Sequence, residues 1–170
     1  MWRHVSSRRP PLNNANLLIL HFQADVKRLS EEGKHYSWPR PARCPVCQGR
    51  RLWGHGYVER YFEGHGRPVW MKRYRCADCG GIHTLRPAGY FRGFFYSVRT
   101  ILRSLVGKLV RGRWLCRIAR QVQQYWFRGF CIQGSWARTR ASPDLEVLRD
   151  LLACGRVPVS HSLECETRRL

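Results

Sequence analysis

The sequence predicts an α+β chain, in which a β-hairpin clamped by four cysteines is followed by a small, strongly basic helical segment. Three observations predict it. Cys44-Pro-Val-Cys47 and Cys76-Ala-Asp-Cys79 stand 28 residues apart. Two strand-like segments, 51–62 and 69–75, lie between them, joined by the turn-forming run Glu63-Gly-His-Gly-Arg-Pro68. Beyond residue 87 apolar residues recur at helical spacing, and no Asp or Glu occurs between Asp78 and Asp144.

The elements follow in order. Residues 1–16 read as a flexible basic arm carrying Arg3, Arg8 and Arg9. Residues 17–43 hold a short buried strand from Leu17 to Phe22 and a helix from Asp25 to Glu32 stopped by Gly33. A linker containing Trp38, Pro39 and Pro41 leads out of that helix. The metal module spans 44–87. In the basic segment, 88–140, a helix over 97–110 places Val98, Ile101, Leu102, Leu105 and Leu109 on one stripe. A second helix is expected over 113–122 and a third over 124–131. Residues 141–155 form an amphipathic helix opened by Ser142 and Pro143, and 156–170 read as a disordered tail.

Composition bounds the function. The chain has 170 residues, 44% of them hydrophobic, which is enough for a folded core. Thirty-one Lys and Arg against eleven Asp and Glu give a net charge of +20, and such an excess implies a polyanionic partner. The longest apolar run, Leu17 to Phe22, is too short to span a bilayer, so no membrane association is expected. Eight cysteines without a secretory h-region point to a reducing compartment, where paired thiols mean metal.

Two residues between thiols let the backbone curl so that both sulfurs face one ion, and two such knuckles supply a full tetrahedron. Cys44, Cys47, Cys76 and Cys79 are therefore the expected ligands of one structural Zn²⁺, with iron the main competitor for four thiolates. The module is thus expected to be a zinc ribbon with four cysteine ligands. A closed site leaves no position for substrate, so the metal is not expected to be catalytic. His55, His65 and His83 fall near the module and are assigned hairpin or surface roles, since four cysteines already complete the shell. Cys116, Cys131, Cys154 and Cys165 lack paired spacing and read as core or incidental thiols.

The acid-free stretch from Cys79 to Pro143 holds twelve Arg and Lys. Arg99, Arg103, Lys108, Arg117, Arg120, Gln124 and Arg128 are its candidate nucleic-acid contacts, placed off the apolar stripes. A helix-turn-helix is expected here, with its turn near Val122 to Gln124. The aromatics interleaved with these cations are assigned to core packing more readily than to base stacking.

The quartet Cys44-Pro-Val-Cys47, the segment Trp53-Gly-His-Gly-Tyr-Val-Glu-Arg60, the run Arg73-Tyr-Arg-Cys-Ala-Asp-Cys-Gly80 and Thr84-Leu-Arg-Pro87 together resemble the N-terminal zinc ribbon of bacterial insertion-sequence transposases and of related small proteins. In that family the ribbon precedes a helix-turn-helix, and together they bind transposon ends. The resemblance covers 43–87 well and 88–135 loosely. It implies a cytoplasmic, nucleoid-associated protein that binds duplex DNA. The family's catalytic domain uses three spaced carboxylates to bind Mg²⁺; here Asp144, Glu146, Asp150, Glu164 and Glu166 crowd together and form no such pattern, so no enzymatic activity is expected. An RNA-binding or ribosome-associated ribbon, or a protein-interaction module, remains the alternative.

Overall fold

The computed structural model describes residues 18–136, 143–161 and 168–169. The expected arm over 1–16 lies outside them, as do Ser142 and residues 162–167. The chain divides into two compact units. The first comprises 1–60, 68–86 and 168–170; the second comprises 61–67 and 87–167.

The first unit is built on a sheet of five strands. β1 (Leu18–Phe22), β2 (Leu52–Arg60), β3 (Val69–Cys76), β4 (Ile82–Pro87) and the two-residue β5 (Arg168–Arg169) stand in the order β2-β3-β4-β1-β5. β3 pairs antiparallel with both β2 and β4, while β1 and β5 run parallel. β3 buries Val69 and Met71, then Tyr74 and Cys76, with the alternation slipping by one residue between the two pairs, beside the irregular register of β2. The β2–β3 register shifts between Gly54 and Tyr57, where Gly56 adopts φ 75°, a conformation that favours glycine.

α1 (Val26–Glu32) lies against β3 and buries Val26 and Leu29. The Asp25 side chain caps it by accepting the Lys27 N–H, and Gly33 ends it at φ 57°. The following segment, expected to be a linker, is tied down instead. Tyr74 donates its hydroxyl to the Pro39 carbonyl at 3.1 Å, and Tyr57 donates to the Lys34 carbonyl at 3.1 Å. Trp38 packs edge-on against Tyr36 and Tyr57. Aromatic residues with a polar tip suit this position, because the ring covers apolar surface while the hydroxyl satisfies a loop carbonyl.

β4 was not expected from sequence. The segment after the second knuckle was read only as module, yet Ile82-His-Thr-Leu85 forms a strand buried along nearly its whole length. The metal module is therefore the edge of a larger sheet, which gives the hairpin's apolar face something to pack with.

The second unit contains α2 (Val98–Arg111), α3 (Arg120–Trp136) and α4 (Leu145–Ala153). Ile101, Leu105, Trp126, Phe130, Val147, Leu148 and Leu151 form its core. Ser97 caps α2 by accepting the Thr100 N–H, and Gly112 closes it in the left-handed region at φ 66°. Three expectations are corrected here. Residues 113–119 are not helical, and the two helices expected on either side of residue 123 are one continuous helix. The turn placed at Val122 to Gln124 thus lies inside α3, and α2 connects to α3 through 112–119. The cap of α4 is Asp144, whose carboxylate accepts the Val147 N–H at 2.9 Å. Finally, residues 156–161 belong to the fold and not to a disordered tail: Val157 and Val159 are buried in the helical core. Gly129 makes this approach possible. A Cβ there would stand 2.3 Å from the Val159 carbonyl oxygen, a separation no side chain tolerates.

Candidate metal centre

The four paired cysteines come together in the first unit. Each knuckle is built the same way. Cys44 N–H donates to Gly49 O at 2.8 Å and Gln48 N–H to Cys44 O at 2.9 Å; Cys76 N–H donates to Gly81 O at 2.9 Å and Gly80 N–H to Cys76 O at 3.0 Å. The residue after each pair takes positive φ, 73° at Gly80 and 60° at Gln48. The sequence signalled this turn at Gly80 but not at Gln48, a side chain that adopts the same conformation less readily.

Register aligns the knuckles. Leu52 opposes Cys76 across β2 and β3, and Ala77 N–H donates to Arg51 O at 2.9 Å, which fastens the second knuckle to the start of the hairpin. The Arg51 guanidinium pairs with Asp78, with Nε at 2.7 Å from Oδ1.

The resulting sulfur positions are compact. The Sγ atoms of Cys44, Cys47, Cys76 and Cys79 all lie within 4.8 Å of one another. Two pairs that cross between knuckles, Cys44–Cys79 and Cys47–Cys76, each stand at 3.6 Å. A disulfide needs about 2.05 Å. A tetrahedron with metal–sulfur bonds of about 2.3 Å has edges of about 3.8 Å. The spacing matches the second and not the first, so the cluster can hold one metal ion.

Burial pushes the Cys79 thiol up to about 12, and the neighbouring thiols add to that effect. Burial likewise raises Cys44, against the N–H groups of Cys47 and Val46 that favour its thiolate. At Cys76 burial is outweighed by the N–H groups of Cys79 and Asp78 and by the adjacent sulfurs, so that thiol is held below its usual range. Four thiolates at these distances repel strongly, and a dication at their centre removes that conflict. Cys44 and Cys76 are fully buried, whereas Cys47 is exposed.

His83 departs from expectation. It was assigned a hairpin or surface role, but β4 carries it into the interior, where it is 0% exposed with Nε2 3.3 Å from Cys44 Sγ. Burial lowers its pKa, which keeps the ring neutral near pH 7. Nothing in the cysteine spacing marks it. The available signal was the β-forming run Ile82–Leu85, which would have placed alternate residues on the buried face.

The expected nucleic-acid contacts lie in the second unit and divide into two groups. Arg99 and Arg103 on α2, Arg117 in the connection, and Arg120 and Arg128 on α3 are exposed. Lys108 and Gln124 are half-buried. Lys108 donates to the Gly112 carbonyl at 3.2 Å and lies 5.1 Å from the Trp114 ring centre, so it closes the end of its own helix. No protein-family model, curated protein or solved structure matches this chain. Among the described residues no helix is long and apolar enough to cross a membrane.

Proposed function

We propose that this chain is a zinc-binding, duplex-DNA-binding protein in which a four-cysteine ribbon is the structural support and the basic helical unit is the main contact surface. The observation that carries the zinc assignment is the sulfur spacing: crossed pairs at 3.6 Å within a four-thiol cluster suit a small tetrahedral dication. Four donors complete the shell, so the ion stabilises the fold and performs no chemistry.

The exposed arginines support the second half. Arg99 and Arg103 stand one turn apart on α2, and Arg120 and Arg128 lie two turns apart on α3, which keeps each pair on one helical face. No acidic residue occurs from Cys79 to Pro143. Glu63, which the fold brings to the start of α2, is engaged by Ser97 and Thr100. Among the described residues these arginines form no ion pair, and guanidinium groups so placed gain most from a phosphate backbone. DNA is chosen over RNA on the motifs shared with the transposase ribbons. The proposed docking elements are α2 and α3, joined by residues 112–119, a connection longer than the roughly three- to four-residue turn of a helix-turn-helix. Without a carboxylate triad the chain binds and does not cut.

The test combines composition and binding. Purified protein should contain one zinc per chain. Reversing Arg117, Arg120 and Arg128 to Glu should weaken duplex binding by more than 100-fold, on the order of 1 kcal/mol or more per lost charge-assisted contact, with zinc content unchanged. Zinc-free protein, or undiminished binding by the triple variant, contradicts the proposal.

A further inference from the structure

The assignment of zinc names four cysteines and leaves His83 without a role. Its ring is fully buried in the first unit. β4 places it there: His83 opposes Tyr74 across the β3–β4 pair, two residues before Cys76 on the neighbouring strand. Nε2 approaches Cys44 Sγ at 3.3 Å, while Nδ1 is buried and has no hydrogen-bond partner among the described residues.

We propose that His83 is a positioning residue for the metal centre, fixed as the Nε2–H tautomer and donating that hydrogen to the Cys44 thiolate. This rests on the zinc reading above. The tautomer follows by elimination. A metal-binding sulfur is a thiolate and only accepts hydrogen bonds. If Nε2 lacked its hydrogen, its lone pair would face the sulfur's negative charge, and the hydrogen on Nδ1 would be a buried donor without an acceptor. A doubly protonated ring would also strand the Nδ1–H, and would bury a charge. The Nε2–H form makes the one available bond and leaves only a lone pair unsatisfied at Nδ1, the least costly of the three arrangements.

The consequence concerns how firmly the ion is held. Four thiolates around a dication carry a net charge of −2, and Cys44 and Cys76 bear their share where water does not reach. Backbone N–H groups of Val46 and Cys47 already point at Cys44. His83 adds a side-chain donor from a different strand. It draws charge from the sulfur and fixes its direction, as outer partners of ligands do at other metal sites. It also couples the sheet to the ion: β4 must be paired for the donor to be in place. His83 is thus expected to set metal retention without itself being a ligand.

The experiment uses the zinc-loaded full chain, with His83→Leu, which removes the donor, and His83→Gln, which keeps an N–H. Chelator competition should show zinc affinity reduced about 10- to 100-fold in His83→Leu and largely restored in His83→Gln. Nitrogen-15 shifts of the wild-type ring should show Nε2 protonated and Nδ1 bare. Cobalt substituted into wild type and His83→Gln should give the spectrum of four sulfur ligands. Unchanged affinity in His83→Leu overturns the proposal. So does a ring protonated at Nδ1, a measurement that decides the matter even if His83→Leu fails to fold. A cobalt spectrum with nitrogen ligation overturns it in favour of direct coordination. Wild-type protein that binds no zinc overturns the metal reading itself, and this inference falls with it.

Discussion

Gln123 shows how one side chain defines the helical unit. It is fully buried and uses all of its hydrogen-bonding capacity. Its Oε1 accepts from Ser104 Oγ at 2.7 Å and from Leu115 N–H at 2.9 Å; its Nε2 donates to the carbonyls of Leu115 and Ile118, both at 2.8 Å. Those four bonds join α2, the 112–119 connection and α3. A buried amide with every partner in place stabilises modestly, but its removal strands several groups away from water. Gln123→Leu should therefore destabilise the protein by about 3 kcal/mol, since Ser104 is left buried without its partner at about 1–3 kcal/mol while the half-buried groups of Leu115 and Ile118 regain water in part. Urea unfolding followed by tryptophan fluorescence measures this, and a cost below about 0.5 kcal/mol would show that the connection is held by other means. The sequence places a turn near Val122 to Gln124, so Gln123 is expected in a connection and not in the interior of a helix. Polarity alone does not separate a solvated side chain from one that satisfies a buried loop, and this is why the turn was misplaced by several residues.

Among the elements, the hairpin turn has a second role. The turn expected over 63–68 serves in sequence only to join two strands, yet residues 61–67 belong to the helical unit. Glu63 reaches the first turn of α2, where its carboxylate accepts from Ser97 N–H at 3.0 Å, Ser97 Oγ at 2.7 Å and Thr100 Oγ1 at 2.9 Å. An anion at a helix N-terminus is favourable, and α2 has no acidic residue of its own in that turn. Burial raises the Glu63 pKa, but the Ser97 and Thr100 bonds outweigh it, so the net shift is downward. A carboxylate whose pKa is depressed in the folded state contributes stability that is present above the unfolded value, about 4.3. That stability is lost as pH falls through the lower folded value. Glu63→Gln should cost about 1 kcal/mol at pH 7 and nothing further on acidification, so thermal unfolding of the two proteins should converge towards pH 3. Parallel curves at all pH values would contradict the cap. Local signals served well wherever an element is specified by its own residues: Asp25 and Gly33 bound α1, Ser97 and Gly112 bound α2, and the cysteine spacing marked the metal cluster. They failed where distant partners decide. β4 exists because β3 and β1 flank it, and Val157 and Val159 are ordered because Gly129 admits them to the core.

At the scale of the whole molecule, the proposed metal site and the proposed DNA contacts fall in different units. The first carries the cysteine cluster and its buried histidine; the second carries the five exposed arginines proposed as contacts. The net charge of +20 was plain in the sequence, but its placement was not. Periodicity alone put Lys108 outward with the arginines, whereas its ammonium is committed to Gly112 and Trp114. Five arginines, Arg99, Arg103, Arg117, Arg120 and Arg128, are left as the proposed phosphate contacts. Each phosphate they neutralise releases condensed counterions, so binding carries a salt signature that a merely solubilising surface lacks. The most direct test of the account is a salt titration of affinity for duplex DNA beside RNA of matched length. If the five arginines each neutralise one phosphate, log affinity should fall against log salt with a slope of about −4.5 or steeper, with the duplex preferred over RNA. A slope near zero, or a clear preference for structured RNA, would contradict it.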